Sequence, residues 1–107
     1  MANDYKNAKL ELTTTGVTTL YTAPAAKTAI FKSILVSEDS GNADTVTATI
    51  TDASAAIFSL FKVKAVAANT AVELLSQPLV VETGEILKFT AATANRLHVV
   101  ASYLEVS

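Results

Sequence analysis

The chain has 107 residues, about one domain's worth. Half are hydrophobic, 17% are charged against a usual ~25%, and mean hydropathy is +0.39, an apolar content that offsets ordering entropy and excludes intrinsic disorder. A net charge of −2 argues against a phosphate-binding surface, so no nucleic-acid partner is expected; the absence of Cys excludes disulfides, thiol catalysis and thiolate metal sites.

No apolar run approaches the ~18–20 residues that cross a bilayer, so no membrane partner is expected. Residues 1–6 contain no apolar core of a secretory signal, and the reading is synthesis in a cytoplasm.

In chain order the pattern is that of strands. Residues 9–15 alternate, with Leu10, Leu12 and Thr14 on one side; residues 17–22 continue past Gly16 after a bulge or turn. Pro24 breaks the chain before Thr28–Glu38, which is apolar on nearly both faces. Strict alternation there sets Ile30, Ile34 and Val36 opposite Phe31 and Leu35, with Lys32 the exception, and predicts a central or doubly covered strand. Asp44–Thr51 is the clearest strand: Val46, Ala48 and Ile50 alternate with Thr45, Thr47, Thr49 and Thr51, one face for a core and one of hydroxyls. Across residues 53–68 alanine favours helix, but Phe58, Phe61, Val63 and Val66 favour strand, and strand is preferred, with Phe58 and Leu60 on one face and Ile57, Phe61 and Val63 on the other. Residues 70–75, Leu79–Val81, 85–91 and 96–106 complete the set, parted by turns such as Ser76-Gln77-Pro78 and Thr83-Gly84. This rhythm predicts a single-domain antiparallel β-sandwich over residues 1–107, jelly-roll or Ig-like, of about eight strands. Residues 1–7 are read as a flexible arm that orders against a neighbour.

Chemistry is sparse. His98 is the one histidine, with only Arg96 beside it on its face; a strand histidine on a surface or interface is favoured over a catalytic or ligand role. Glu38, Asp39 and Asp44 bracket a Ser-Gly turn without the spacing of a calcium loop, so a solvated acidic turn is favoured over a weak cation site. Glu82 and Glu85 flank Thr83-Gly84 and read as hairpin shoulders rather than a glycosidase pair. Lys32, Lys62 and Lys64 read as strand-edge protection rather than a basic spot. With three isolated glycines and no nucleophile elbow, there is neither a phosphate cradle nor a hydrolase signature. The expectation is no enzyme, and no catalytic, cofactor-binding or metal-binding residues.

The informative anomaly is surplus apolar surface. Thr28–Glu38 and residues 57–63, 74–81 and 96–106 offer apolar groups on both faces, more than a small sandwich conceals. Exposed apolar patches mark contact surfaces, which points to self-association or docking on a large partner.

Residues 20–37 read Leu-Tyr-Thr-Ala-Pro-Ala-Ala-Lys-Thr-Ala-Ile-Phe-Lys-Ser-Ile-Leu-Val-Ser, followed by the polar turn at 38–42 and the Thr/Val strand at 45–50. This half of the chain resembles small virion structural proteins of tailed bacteriophages, including those of cyanophages and other marine phages. The resemblance implies a β-sandwich subunit located in the virion, most simply a capsid decoration (cement) protein. It would be a homo-oligomer, with a trimer favoured over a dimer, bound to the major capsid protein or another virion protein. A tail, neck or fibre accessory part is the alternative. A carbohydrate-binding module for host recognition is a second class, with Tyr5, Tyr21 and Tyr103 as its candidate aromatic platform.

Overall fold

The computed structural model describes residues 3–107, and within them nine strands and no helix. They are β1 (Asn3–Leu12), β2 (Thr18–Thr22), β3 (Thr28–Glu38), β4 (Asp44–Thr51), β5 (Ile57–Val66), β6 (Ala71–Glu73), β7 (Leu79–Val81), β8 (Ile86–Ala91) and β9 (Leu97–Val106). All pairings are antiparallel, and one set is nested: β1 with β9, β2 with β8, β3 with both β6 and β7, and β4 with β5; β3 with β9 and β4 with β8 join these pairs into sheets. Since β6 and β7 lie along the same neighbour, they are two pieces of one interrupted strand. Eight strand positions wrapped as nested pairs make a jelly roll rather than an Ig topology. The first sheet runs β1-β9-β3-β6, with β7 also on β3; the second runs β2-β8-β4-β5.

The sandwich closes over Phe31, Ile34, Val36, Leu97 and Val99 from the first sheet, and over Val46, Leu87 and Phe89 from the second, all fully buried or within 1% of it. Tyr21, Phe31 and Tyr103 form an aromatic cluster near one end. Phe31 stacks on Tyr103 at 4.8 Å, and Tyr21 meets Phe31 edge-on at 5.3 Å.

Strict alternation fails in β3. The register against β9 shifts by one between Phe31 and Ser33, so Lys32 is the extra, exposed residue of a β-bulge. The bulge inverts the phase: Ala29 and Phe31 are buried before it, Ile34 and Val36 after it, all on one wall. Ile30 and Leu35 therefore look outward, which corrects the grouping of Phe31 with Leu35. The break between β6 and β7 faces this same point. The Glu73 carboxylate fills it, accepting the Ile34 N–H at 2.7 Å, the Leu75 N–H at 3.2 Å and the Ser33 hydroxyl.

Two further expectations change. Residues 3–7, read as an arm, are strand, paired from Asn3 with Val106 to Asn7 with Ser102; the first two residues of that arm lie outside the described residues. The two-faced alternation expected for residues 57–63 gives way to two register shifts against β4 that leave extra residues on β5. Val63 adopts φ 54°, unusual for a β-branched residue, and its N–H donates to Thr47 Oγ1 at 3.1 Å. Ile57, Phe58 and Val63 are exposed, while Leu60 and Phe61 pack partly on the core.

Phe31→Ala removes the centre of the aromatic cluster and leaves a cavity between the sheets. Denaturant unfolding is expected to show a loss of about 3–5 kcal/mol; a loss under about 1 kcal/mol would contradict this account of the core.

Candidate interaction surface

Cross-strand pairing decides which side chains share a wall. On the outer wall of the first sheet, Tyr5 pairs with Leu104, Leu104 with Ile30 and Ile30 with Val80, a four-strand apolar row. A parallel row runs Lys9, Val100, Leu35, Glu73. Tyr5 is 78% exposed, Val80 50%, Val100 40% and Leu35 39%, so water meets large apolar groups here. A polar row of Asn7, Ser102 and Ser33 runs between the two.

The outer wall of the second sheet is different in kind. Thr47 pairs with Thr90, and Lys88 pairs with Thr49 on one side and Thr19 on the other. This is the hydroxyl face foreseen for β4, with one correction: Thr51 is buried, and its Oγ1 has no hydrogen-bond partner. The molecule thus presents one greasy wall and one largely hydroxylated wall, whose edge strand β5 also exposes Ile57, Phe58 and Val63.

The acidic residues singled out from sequence are dispersed. Glu38 is buried at the end of β3. Its carboxylate accepts the N–H groups of Ser40 (2.8 Å), Gly41 (3.1 Å) and Asn69 (3.1 Å) and the Ser40 hydroxyl, tying the β3–β4 turn to the β5–β6 turn. Burial alone would push this carboxyl up, but these donors pull it down to about 2. Gly41 lies at φ 86°, a conformation that lets its N–H reach Glu38. Asp44 is buried and accepts the Thr93 N–H at 3.1 Å. Asp39 alone of the three is exposed on the surface. Among the described residues, no group of three or more His, Cys, Asp or Glu side chains could hold a metal ion.

A third buried carboxylate, Glu105 on β9, closes the other end of the core. It accepts from Lys6 Nζ at 2.9 Å and from the Tyr21 hydroxyl at 2.7 Å, with Lys27 Nζ at 3.5 Å. The Lys6 and Tyr21 hydrogen bonds hold it below the usual carboxylate range against the effect of burial, while burial and the bond to Glu105 push the Tyr21 phenol well up. Sequence reasoning missed Glu105; its one signal was a carboxylate in phase with Leu97, Val99, Ala101 and Tyr103.

His98 lies on the outer wall of the first sheet, with Nε2 3.6 Å from Glu11 and Nδ1 3.6 Å from Asp39, both carboxylates exposed. Glu11 arrives by cross-strand pairing and Asp39 from the β3–β4 turn, neither being local in sequence. Arg96 instead donates to the Ala43 carbonyl at 3.0 Å. Glu82 and Glu85 form a tight turn, the Glu82 N–H donating to Glu85 Oε1 at 2.8 Å. Lys32 is on the first sheet, whereas Lys62 and Lys64 are on edge strand β5 of the second. The proposed tyrosine platform does not form: Tyr21 and Tyr103 are core residues, and only Tyr5 of the three is exposed.

No family model matches the chain, and no curated protein matches it. Among solved structures it is similar to a chain of Bacillus endospore appendages, which form a family of disulfide-linked pili; the TM-score is 0.60 at 10% identity, over 99% of this chain and 87% of that one. It also aligns with a chain of infectious bursal disease virus Gt strain at TM-score 0.49 and 10% identity, over 98% of this chain and 30% of that one. The likeness to the appendage chain is one of fold.

The depressed carboxyls make stability pH-dependent. Glu38 contributes fully above its ordinary value near 4.5, and the contribution is lost as pH falls toward about 2. Glu38→Gln is expected to lower the melting temperature at pH 7 and to flatten its decline between pH 4.5 and 2. An unchanged acid limb in thermal melts would contradict this role.

Proposed function

We propose that the protein is a virion structural subunit, in its most specific form a capsid decoration (cement) protein of a tailed phage that self-associates and seats on the major capsid shell. The observation that carries the reading is the apolar outer wall of the first sheet, with Tyr5, Val80, Val100 and Leu35 in water, to which the edge strand β5 of the second sheet adds exposed Ile57, Phe58 and Val63. Exposed apolar surface of this kind is stabilised by covering it, at about 25 cal/mol per Å². The phage-like segment at residues 20–37 supports the virion location. It forms β2, the Pro24 corner and the bulged β3, all of them scaffold rather than catalytic machinery.

A part in a tail, neck or fibre is the second reading, favoured by the fold likeness to a pilus-forming appendage chain. That pilus is disulfide-linked; this sequence has no Cys, so no disulfide joins copies of it. A sugar-binding module is disfavoured by the burial of Tyr21 and Tyr103. In this proposal the protein is not an enzyme. Supporting that, His98 has its two carboxylate neighbours at 3.6 Å on an outer wall, longer than the hydrogen bonds that orient a general base.

Purified protein mixed with undecorated phage shells is expected to co-sediment with them. Replacing Val80 and Val100 together with Ser should weaken that binding about tenfold or more while leaving the melting temperature nearly unchanged. A wild-type protein that ignores both shells and separated tails, and stays monomeric at micromolar concentration, would overturn the proposal.

A further inference from the structure

A jelly roll has four sheet edges, and unpaired edges invite strand addition unless they are blunted. Among the described residues, three of the four are blunted here. The β6/β7 edge consists of two three-residue pieces separated by a break. The β5 edge carries two register shifts and the left-handed Val63. The β2 edge is five residues long with a register shift between Thr19 and Tyr21. The fourth edge, β1, differs from all of these: it runs for ten residues and pairs with β9 without any register shift.

We infer that the open edge of β1 is where a second copy of this chain adds, β1 against β1 in antiparallel, so that the two first sheets join across a two-fold axis. The inference rests on the reading that the protein self-associates. Two observations favour a second copy over a foreign strand. One is the self-complementarity of β1 when Asn7 lies opposite the partner's Asn7. Tyr5 then faces Lys9, Asn3 faces Glu11, Asp4 faces Leu10 and Lys6 faces Ala8, so nine residues pair with no like charges opposed. The Tyr5–Lys9 pair puts an ammonium over a ring that is otherwise 78% exposed. The other is continuity. Tyr5 ends the apolar row that runs through Leu104, Ile30 and Val80, and the two-fold pairing runs each such row through the Tyr5–Lys9 contact into the second copy's row of Lys9, Val100 and Leu35, making one broader wall. A two-fold contact between identical edges closes on itself, which makes the solution species a dimer rather than the trimer favoured from sequence.

Asn7 is exposed on the outer wall and central in this register, so it reports on pairing without entering the core. Asn7→Lys and Asn7→Asp each oppose like charges across the axis, and each is expected to weaken the dimer about tenfold or more in sedimentation equilibrium. An equimolar mixture of the two should restore a dimer at least as tight as wild type, with all three proteins melting at nearly the same temperature. If both single variants remain dimeric, the edge is not the interface, and the outer-wall reading stands apart from it. A wild-type trimer, or a wild-type monomer that pairs only once shell protein is added, would also overturn the inference, the latter by showing a foreign strand on β1.

Discussion

Each strand of a two-layer sandwich has one wall on the core and one wall elsewhere, and side chains alternate between them. Here that constraint meets strands whose apolar residues exceed what one inner wall holds. In β4 and β8 of the second sheet the conflict is resolved conventionally: Val46, Ala48, Leu87 and Phe89 fill the core, and Thr47, Thr49, Lys88 and Thr90 lie on the outer wall, while the edge strand β5 leaves Ile57, Phe58 and Val63 exposed. In the first sheet it is not resolved within the chain. With Phe31, Ile34, Val36, Val99 and Tyr103 already inside, Ile30, Leu35, Val80, Val100 and Leu104 have no interior left to occupy. The difference between the two walls is what gives the molecule a direction, and the proposed assembly role rests on that direction.

The core is finished at both ends by buried carboxylates. Glu105 pairs in register with Ala29 at the start of β3, and Glu38 with Leu97 at its end. Burying a carboxylate is costly unless donors surround it. Glu105 is satisfied by Lys6 and Tyr21, which ties β1 and β2 to β9. Glu38 is satisfied by backbone N–H groups from two turns. Glu73 does the same at the bulge, where β6 and β7 part. These groups are structural: each joins segments far apart in sequence that hydrophobic packing alone would not hold in register.

Much of the fold was legible in the chain. The alternation of Val46 and Ala48 with threonines located β4, and β-branched and aromatic residues identified β5 against its alanine content. What alternation could not reveal was a change of phase. The bulge at Lys32 leaves the composition of β3 untouched while exchanging which residues face the core, and only pairing with β9 exposes it. The shifts in β5 escaped for the same reason. The partners of His98 were invisible because Glu11 and Asp39 reach it through pairing and a turn rather than through spacing. The choice between jelly-roll and Ig topologies likewise depends on which strands pair, a property of the whole chain and not of any segment. The surplus of apolar surface, by contrast, was a matter of counting, and the wall it predicted is present.

The claim that this wall is covered in use is tested most directly by hydroxyl-radical footprinting of the protein on purified particles against the dilute free protein. The account predicts strong protection of Tyr5, Leu104 and Leu35, with Lys88 and its neighbours on the threonine wall labelled equally in both states. Equal labelling of the two walls, or protection confined to the threonine side, would contradict it.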